Sequence, residues 1–254
     1  MTTLRTDDQT NPTIIGTDAR SLDGRRVERD AMSSGREDDG MVKAPRREPR
    51  WPASVAVLAG LLFYMTLPET LTLGPGWVIP ALECALLIPL TLRAPYRHPE
   101  EARLIRSASL LLIAVVNLAN VVSLGLLVHL VVSGGAVSGR GLIFSGIQIW
   151  LTLILVFALW FWELDRGGPA VRGGPAAKEP DFLFPQMATP ELKQYDWIPG
   201  FVDYLYVSFT NVTAFSPTDT LPLTHRAKVL MLVESLASIT TVVMIAGRAV
   251  NILK

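Results

Sequence analysis

The chain has 254 residues, half of them hydrophobic, and a formal net charge of zero. A balanced charge provides no field to draw in nucleic acid or an acidic partner, and neither is expected. The lone cysteine, Cys84, excludes an intrachain disulfide and, lying in an apolar stretch, reads as a small packed residue.

Residues 1 to 50 are rich in Asp, Arg, Ser, Thr and Gly and hold almost no apolar run, so they are expected to form a disordered polar tail. They lack the apolar core of a secretory signal, which leaves the first membrane helix as its own address. Lys43, Arg46, Arg47 and Arg50 precede Trp51-Pro52 as a basic flank with an interfacial aromatic. Beyond them the chain is far more apolar, and several uncharged stretches approach the roughly 20 residues that cross a bilayer as a helix. A multi-pass protein of the cell membrane follows, with an all-α transmembrane fold.

The expected spans are Trp51 to Leu67, Trp77 to Leu92, Ser107 to Val132, Leu142 to Trp162 and a last helix from about Ala227 to Leu253. Glu83 in the second span is costly among Leu and Ala unless it is protonated, partnered or facing a cavity. It is a candidate proton or cation site, with a hydrogen bond to a neighbouring helix as the plainer role. Asn117, Asn120 and Ser123 recur at three-residue intervals on the third span, either as interhelical glue or as the lining of a pathway. Glu234, Ser238 and Thr241 form a similar stripe on the last helix and are expected to line a pathway or to bond Asn117 and Asn120. Residues 166 to 199, with Arg-Gly-Gly-Pro occurring twice, read as a linker whose role is reach, with Phe182, Leu183, Phe184 and Met187 able to dock part of it at the membrane surface.

Between linker and last helix lies the unusual stretch. Pro199-Gly200 precedes a run to Thr213 that is too short to cross as a helix, followed by Pro217 and Asp219. Polar, broken backbone at membrane depth is tolerated only against protein or a water-filled cavity, which favours a re-entrant half-helix with an irregular return over 200 to 224. Asp203 is placed to cap the start of that half-helix.

Thr213, Ala214, Phe215, Ser216, Pro217, Thr218, Asp219, Pro222 and Thr224 carry a resemblance to the pore loop of potassium channels. In that family a helix ends in a threonine followed by Thr-Val-Gly-Tyr-Gly-Asp and a later Pro-x-Thr. Thr213, Asp219, Pro222 and Thr224 match without a gap. The resemblance covers about Leu142 to Lys254 and implies a helix, half-helix, loop and inner helix, four copies around an axis, and monovalent cations as the permeant species. Ala214 to Thr218 replace the family's filter, so both filter glycines are missing and Pro217 fixes φ and removes an amide donor. Altered selectivity is therefore expected. A non-conducting scaffold or sensor with the same fold, and a proton-coupled carrier using Glu83 or Glu234, stay open beside the channel reading.

Charge asymmetry sets a second departure. Lys43, Arg46, Arg47, Arg50, Arg93, Arg97, Arg103 and Arg106 flank one side of the first spans, against Arg140 alone in the first and third connections. That bias puts the N-terminus in the cytoplasm, so after four spans the loop enters from the cytoplasmic side, opposite to potassium channels. No nucleophile has an adjacent base, and no nucleotide, redox or zinc motif occurs. His98, His129 and His225 are scattered, so no enzyme, cofactor or metal site is expected. Asn211-Val212-Thr213 matches a glycosylation acceptor only formally.

Overall fold

The computed structural model describes residues 51–72, 75–78, 80–81, 99–134, 138–189, 191, 197–213 and 219–252. Its main helices are α1 (Trp51–Met65), α2 (Pro99–Ser133), α3 (Gly139–Leu164), α4 (Phe201–Thr213) and α5 (His225–Ile252). Two short strands, β1 (Phe182–Leu183) and β2 (Leu221–Pro222), pair antiparallel, Phe182 opposite Pro222 and Leu183 opposite Leu221.

Among the described residues three stretches are long and apolar enough to cross a membrane: Arg106–Ser133, Gly139–Gly167 and His225–Val250. Helix α1 is apolar but shorter, about 22 Å against a hydrocarbon core of about 30 Å. Most of the expected second span, Trp77 to Leu92, lies outside the described residues, and Glu83 and Cys84 lie there with it. Helix α2 begins earlier than its apolar part, at Pro99, a residue suited to a first helical turn because it has no amide to satisfy there.

Helix α3 is the centre of the bundle. It buries apolar residues around its circumference, Leu153, Ile154, Val156, Phe157, Ala158 and Leu159 in near succession, and it is the most buried of the three long apolar helices. Ser138 caps its start by accepting from the Gly141 amide at 3.2 Å. Its end is turned by Arg166, Gly167 and Gly168, all at positive φ, which is why one Arg-Gly-Gly-Pro copy sits at the helix end. Helix α1 lays its small residues Ala53 and Ala56 inward, and Gln148 of α3 donates to Thr66 just past α1 at 2.6 Å.

Helices α4 and α5 run parallel to each other and antiparallel to α3. Tyr204 meets Asp165 near the start of α4, Ser208 meets Ile154 and Glu234 further along, and Ser238 meets Trp150 and Val212 near its end. Both helices thus begin at the same end of the bundle, where β1 pairs with β2.

Helix α5 is inside-out by the standards of a water-soluble protein. Glu234, Ser238 and Thr241 are buried, while Val229, Leu232, Leu236, Ile239 and Val243 are exposed. A continuous apolar face turned outward is what a helix in lipid presents. The length, composition and exposed faces of these helices make this a membrane protein.

Close approach of α3 and α5 depends on Gly146. A β-carbon there would stand 2.6 Å from Ile245 Cγ1, which must shift to admit it. Gly146→Val is therefore expected to lower stability by about 2 kcal/mol through overpacking, and Ile245→Ala to recover much of the loss in the double variant. Denaturation midpoints of the four proteins in one detergent check this; additive losses would show that the two positions do not collide.

Candidate functional site

Facing polar stripes on α4 and α5 build the site. Glu234 is fully buried; one carboxylate oxygen is contacted by the Ser208 hydroxyl, and the other accepts from Asn211 Nδ2 at 2.6 Å. Asn211 uses the rest of its amide too, donating to the Met231 carbonyl at 2.9 Å and accepting from Ser235 Oγ at 3.2 Å. Ser208 Oγ also lies 2.8 Å from the Ile154 carbonyl, which joins α3 to the cluster. Among the described residues no cation faces Glu234.

One turn on, Trp150 Nε1 donates to Ser238 Oγ at 2.9 Å, and Ser238 donates to the Val212 carbonyl at 2.8 Å. Val212 is in the last turn of α4, whose carbonyls have no partner within the helix, so Ser238 satisfies one of them from outside. Such interhelical bonds contribute about 0.6 kcal/mol each in lipid, and their sum holds α4 to its neighbours.

The candidate residues named from sequence divide into three groups. Glu234 joins the cluster just described, but the expected bonds from its stripe to Asn117 and Asn120 are replaced by bonds to α3 and α4, because α4 is the element packed against that face. Asn120 is buried and the Asn117 side-chain oxygen is buried without a hydrogen-bond partner. Thr213 ends α4 with its hydroxyl turned back to the Phe209 and Thr210 carbonyls at 3.0 and 3.3 Å, and Asp219 is exposed. Glu83, Ala214, Phe215, Ser216, Pro217 and Thr218 lie outside the described residues.

At the start of α4 the Gly200 amide donates to Asp203 Oδ2 at 2.7 Å, the anchoring expected of that residue. The chain before it departs from the expected linker: residues 165 to 189 are docked. Tyr204 Oη donates to Asp165 at 2.5 Å, and the Asp181 amide donates to the same carboxylate at 2.6 Å. Asp181 in turn accepts from Thr224 at 2.5 Å and from Arg226 in a two-pronged contact, Nε lying at 2.6 Å. Arg172 donates to the carbonyls of Pro199 and Trp162 and stacks 4.7 Å from the Tyr204 ring centre. Phe182 and Phe184 insert edge-on against Phe161, Trp197 and Tyr204. Composition suggested reach because Gly and Pro are frequent; the buried aromatics and paired charges override it.

The Asp165, Asp181 and Arg226 network was missed because no periodicity marks it, and its only sequence signal is the presence of charges beside apolar spans. Ser208 and Asn211 had a clearer one: with Tyr204 they fall four and three residues apart, the spacing of Glu234, Ser238 and Thr241. Arg226 is about half exposed and Asp181 almost fully buried. Arg226→Ala is therefore expected to cost about 2 kcal/mol by leaving a buried carboxylate short of donors, whereas exposed Lys228→Ala stays within about 0.5 kcal/mol. Thermal or detergent-titration midpoints measure both, and equal small effects would remove the ion pair from the account.

No protein-family model, curated protein or solved structure matches the chain.

Proposed function

We propose that this is a multi-pass protein of the cell membrane whose α4 is a re-entrant half-helix, part of a pore-like module that passes monovalent cations as a homo-oligomer. The observation that carries the reading is the parallel course of α4 and α5 from the same end of the bundle, tied by the Glu234 cluster. With α4 about 20 Å long and β2 back beside β1, the return from Thr213 to Leu221 brings the chain to the level at which α4 starts. That is the course of a half-helix that dips into a bilayer and comes out on the side it entered, with Asp219 on the return.

The exposed aliphatic face of α5 supports assembly around an axis as well as contact with lipid, and four subunits follow from the likeness of Thr213, Asp219, Pro222 and Thr224 to potassium-channel pores. The C-terminal end of α4 carries partial negative charge, which suits cations. Helices α1 and α2 start at the end of the bundle where α4 begins, since Thr66 just past α1 meets Gln148 near the start of α3 and Arg106 early in α2 lies beside Gly168 at the end of α3. The basic residues that precede these helices in sequence therefore make entry cytoplasmic by the positive-inside bias.

Cation flux into proteoliposomes containing the folded protein is the expected result. In the conducting assembly Asp219→Asn lowers that flux on the order of tenfold at low salt and less at high salt, since it removes one carboxylate per subunit from the mouth. Unchanged flux removes Asp219 from the pathway. Absence of flux at every pH and voltage selects a non-conducting scaffold or sensor built on the same module, a reading favoured by the closed hydrogen bonding of Trp150, Ser238 and Val212.

A further inference from the structure

The Ser208 hydroxyl lies within bonding distance of two oxygens but has one hydrogen. It is 2.8 Å from the Ile154 carbonyl, which can only accept, and it also contacts one oxygen of Glu234. If Glu234 were ionised, Ser208 would give its hydrogen to the carboxylate, and two bare oxygens would face each other across 2.8 Å. If Glu234 carries a proton, its O–H donates to Ser208, Ser208 donates to Ile154, and Asn211 donates to the other carboxyl oxygen. Every short contact then contains a hydrogen.

The surroundings agree. Helix α3 offers Glu234 a carbonyl and apolar side chains; its Arg140 lies near its start and its Glu163 near its end, with Asp165 just beyond, all more than two turns from Ile154. Helix α4 offers Ser208 and Asn211; its Asp203 and Tyr204 lie a turn or more away, Tyr204 is engaged by Asp165, and Tyr206 is exposed. The cations of α5, Arg226, Lys228 and Arg248, are likewise beyond the neighbouring turns, as are Arg106 and His129 on α2. A fully buried carboxylate with no cation would be expensive between three apolar helices.

We propose that Glu234 is a proton-binding site within the membrane-embedded part of the protein, a neutral carboxylic acid that clamps α4 between α3 and α5 and loosens it when the proton leaves. On release the Glu234 O–H bond breaks, the proton passes to water, and the electron pair remains on the carboxylate. Ser208 then turns its hydrogen to Glu234 and gives up Ile154, so α4 loses a tie to α3 while an uncompensated charge appears at the contact. The inference rests on the placement of α4 described for the pore-like module but not on conduction, because a protein that passes no ions still holds or lacks this proton.

Infrared spectroscopy of the full chain in liposomes tests it. A carboxylic-acid C=O band is expected at neutral pH, shifted down in D2O, lost reversibly at alkaline pH and missing in Glu234→Gln. Superimposable wild-type and Glu234→Gln spectra in that region would overturn the proposal. Should Glu234→Gln fail to fold, 13C-labelled glutamate in wild type and Glu234→Asp gives the same decision: the labelled acid band is lost in the aspartate variant, and its persistence refutes the site. Loosening is read separately with a Val212→Cys, Cys84→Ser chain. At alkaline pH its alkylation is expected to be about tenfold faster than in the same chain with Glu234→Gln, thiolate chemistry being common to both. Equal rates overturn the release of α4.

Discussion

A carboxyl group that no cation faces among the described residues, buried among three apolar helices, constrains the rest of this molecule. Glu234 can be there only if every hydrogen-bonding group around it is satisfied by protein, and that requirement fixes where α4 lies. Ser208 and Asn211 reach it from α4, Ile154 from α3 and Ser235, through Asn211, from α5. Remove any of the three helices and a polar group is left in a medium that cannot solvate it, at a cost several times the worth of the bond itself. Helix α4 is held by polar groups along its inner face while Val202, Tyr206 and Phe209 remain exposed on its outer face.

A second network performs the same task at the end where α4 begins. Asp165 and Asp181 gather Tyr204, Thr224 and Arg226, so the end of α3, the docked segment, the start of α4 and the start of α5 share one set of hydrogen bonds. The β1 and β2 pair adds backbone bonds at the same level, extended by the Leu223 amide donating to the Asp181 carbonyl at 2.7 Å. Polar contacts thus fasten α4 at its entry and along its length, whereas α1 and α2 rely on small residues and aliphatic packing.

Much of this architecture was legible from the chain. Uninterrupted apolar runs located the apolar part of α2, and α3 and α5, to within a few residues, because a membrane helix must satisfy its backbone internally and announces itself by composition. The polar first turns of α2 from Pro99 carried no such mark. The short helix α4 was marked by Pro199-Gly200 before it. Glu234 stood out as a charge in an apolar helix, yet its partners did not, since Asn117 and Asn120 had an equally good stripe and helix order in the membrane plane is not encoded by periodicity. Phe182, Leu183, Phe184 and Met187 pointed to docking at the membrane surface, but the seat they find against the helices was not legible, because that pocket is built from Phe161 of α3 and Tyr204 of α4, residues far apart in sequence.

The central claim is that the chain enters and leaves the membrane on one side through α4. Impermeant thiol labelling in a Cys84→Ser background, with single cysteines at Glu179, Leu223 and Ser138, tests it most directly. All three positions are exposed, Glu179 before α4, Leu223 after β2 and Ser138 at the opposite end of α3. Labelling of Glu179→Cys and Leu223→Cys from the same face, with Ser138→Cys reached only from the other, is the result this account predicts. Labelling of Glu179→Cys and Leu223→Cys from opposite faces would mean that the chain crosses the bilayer between them, and would contradict it.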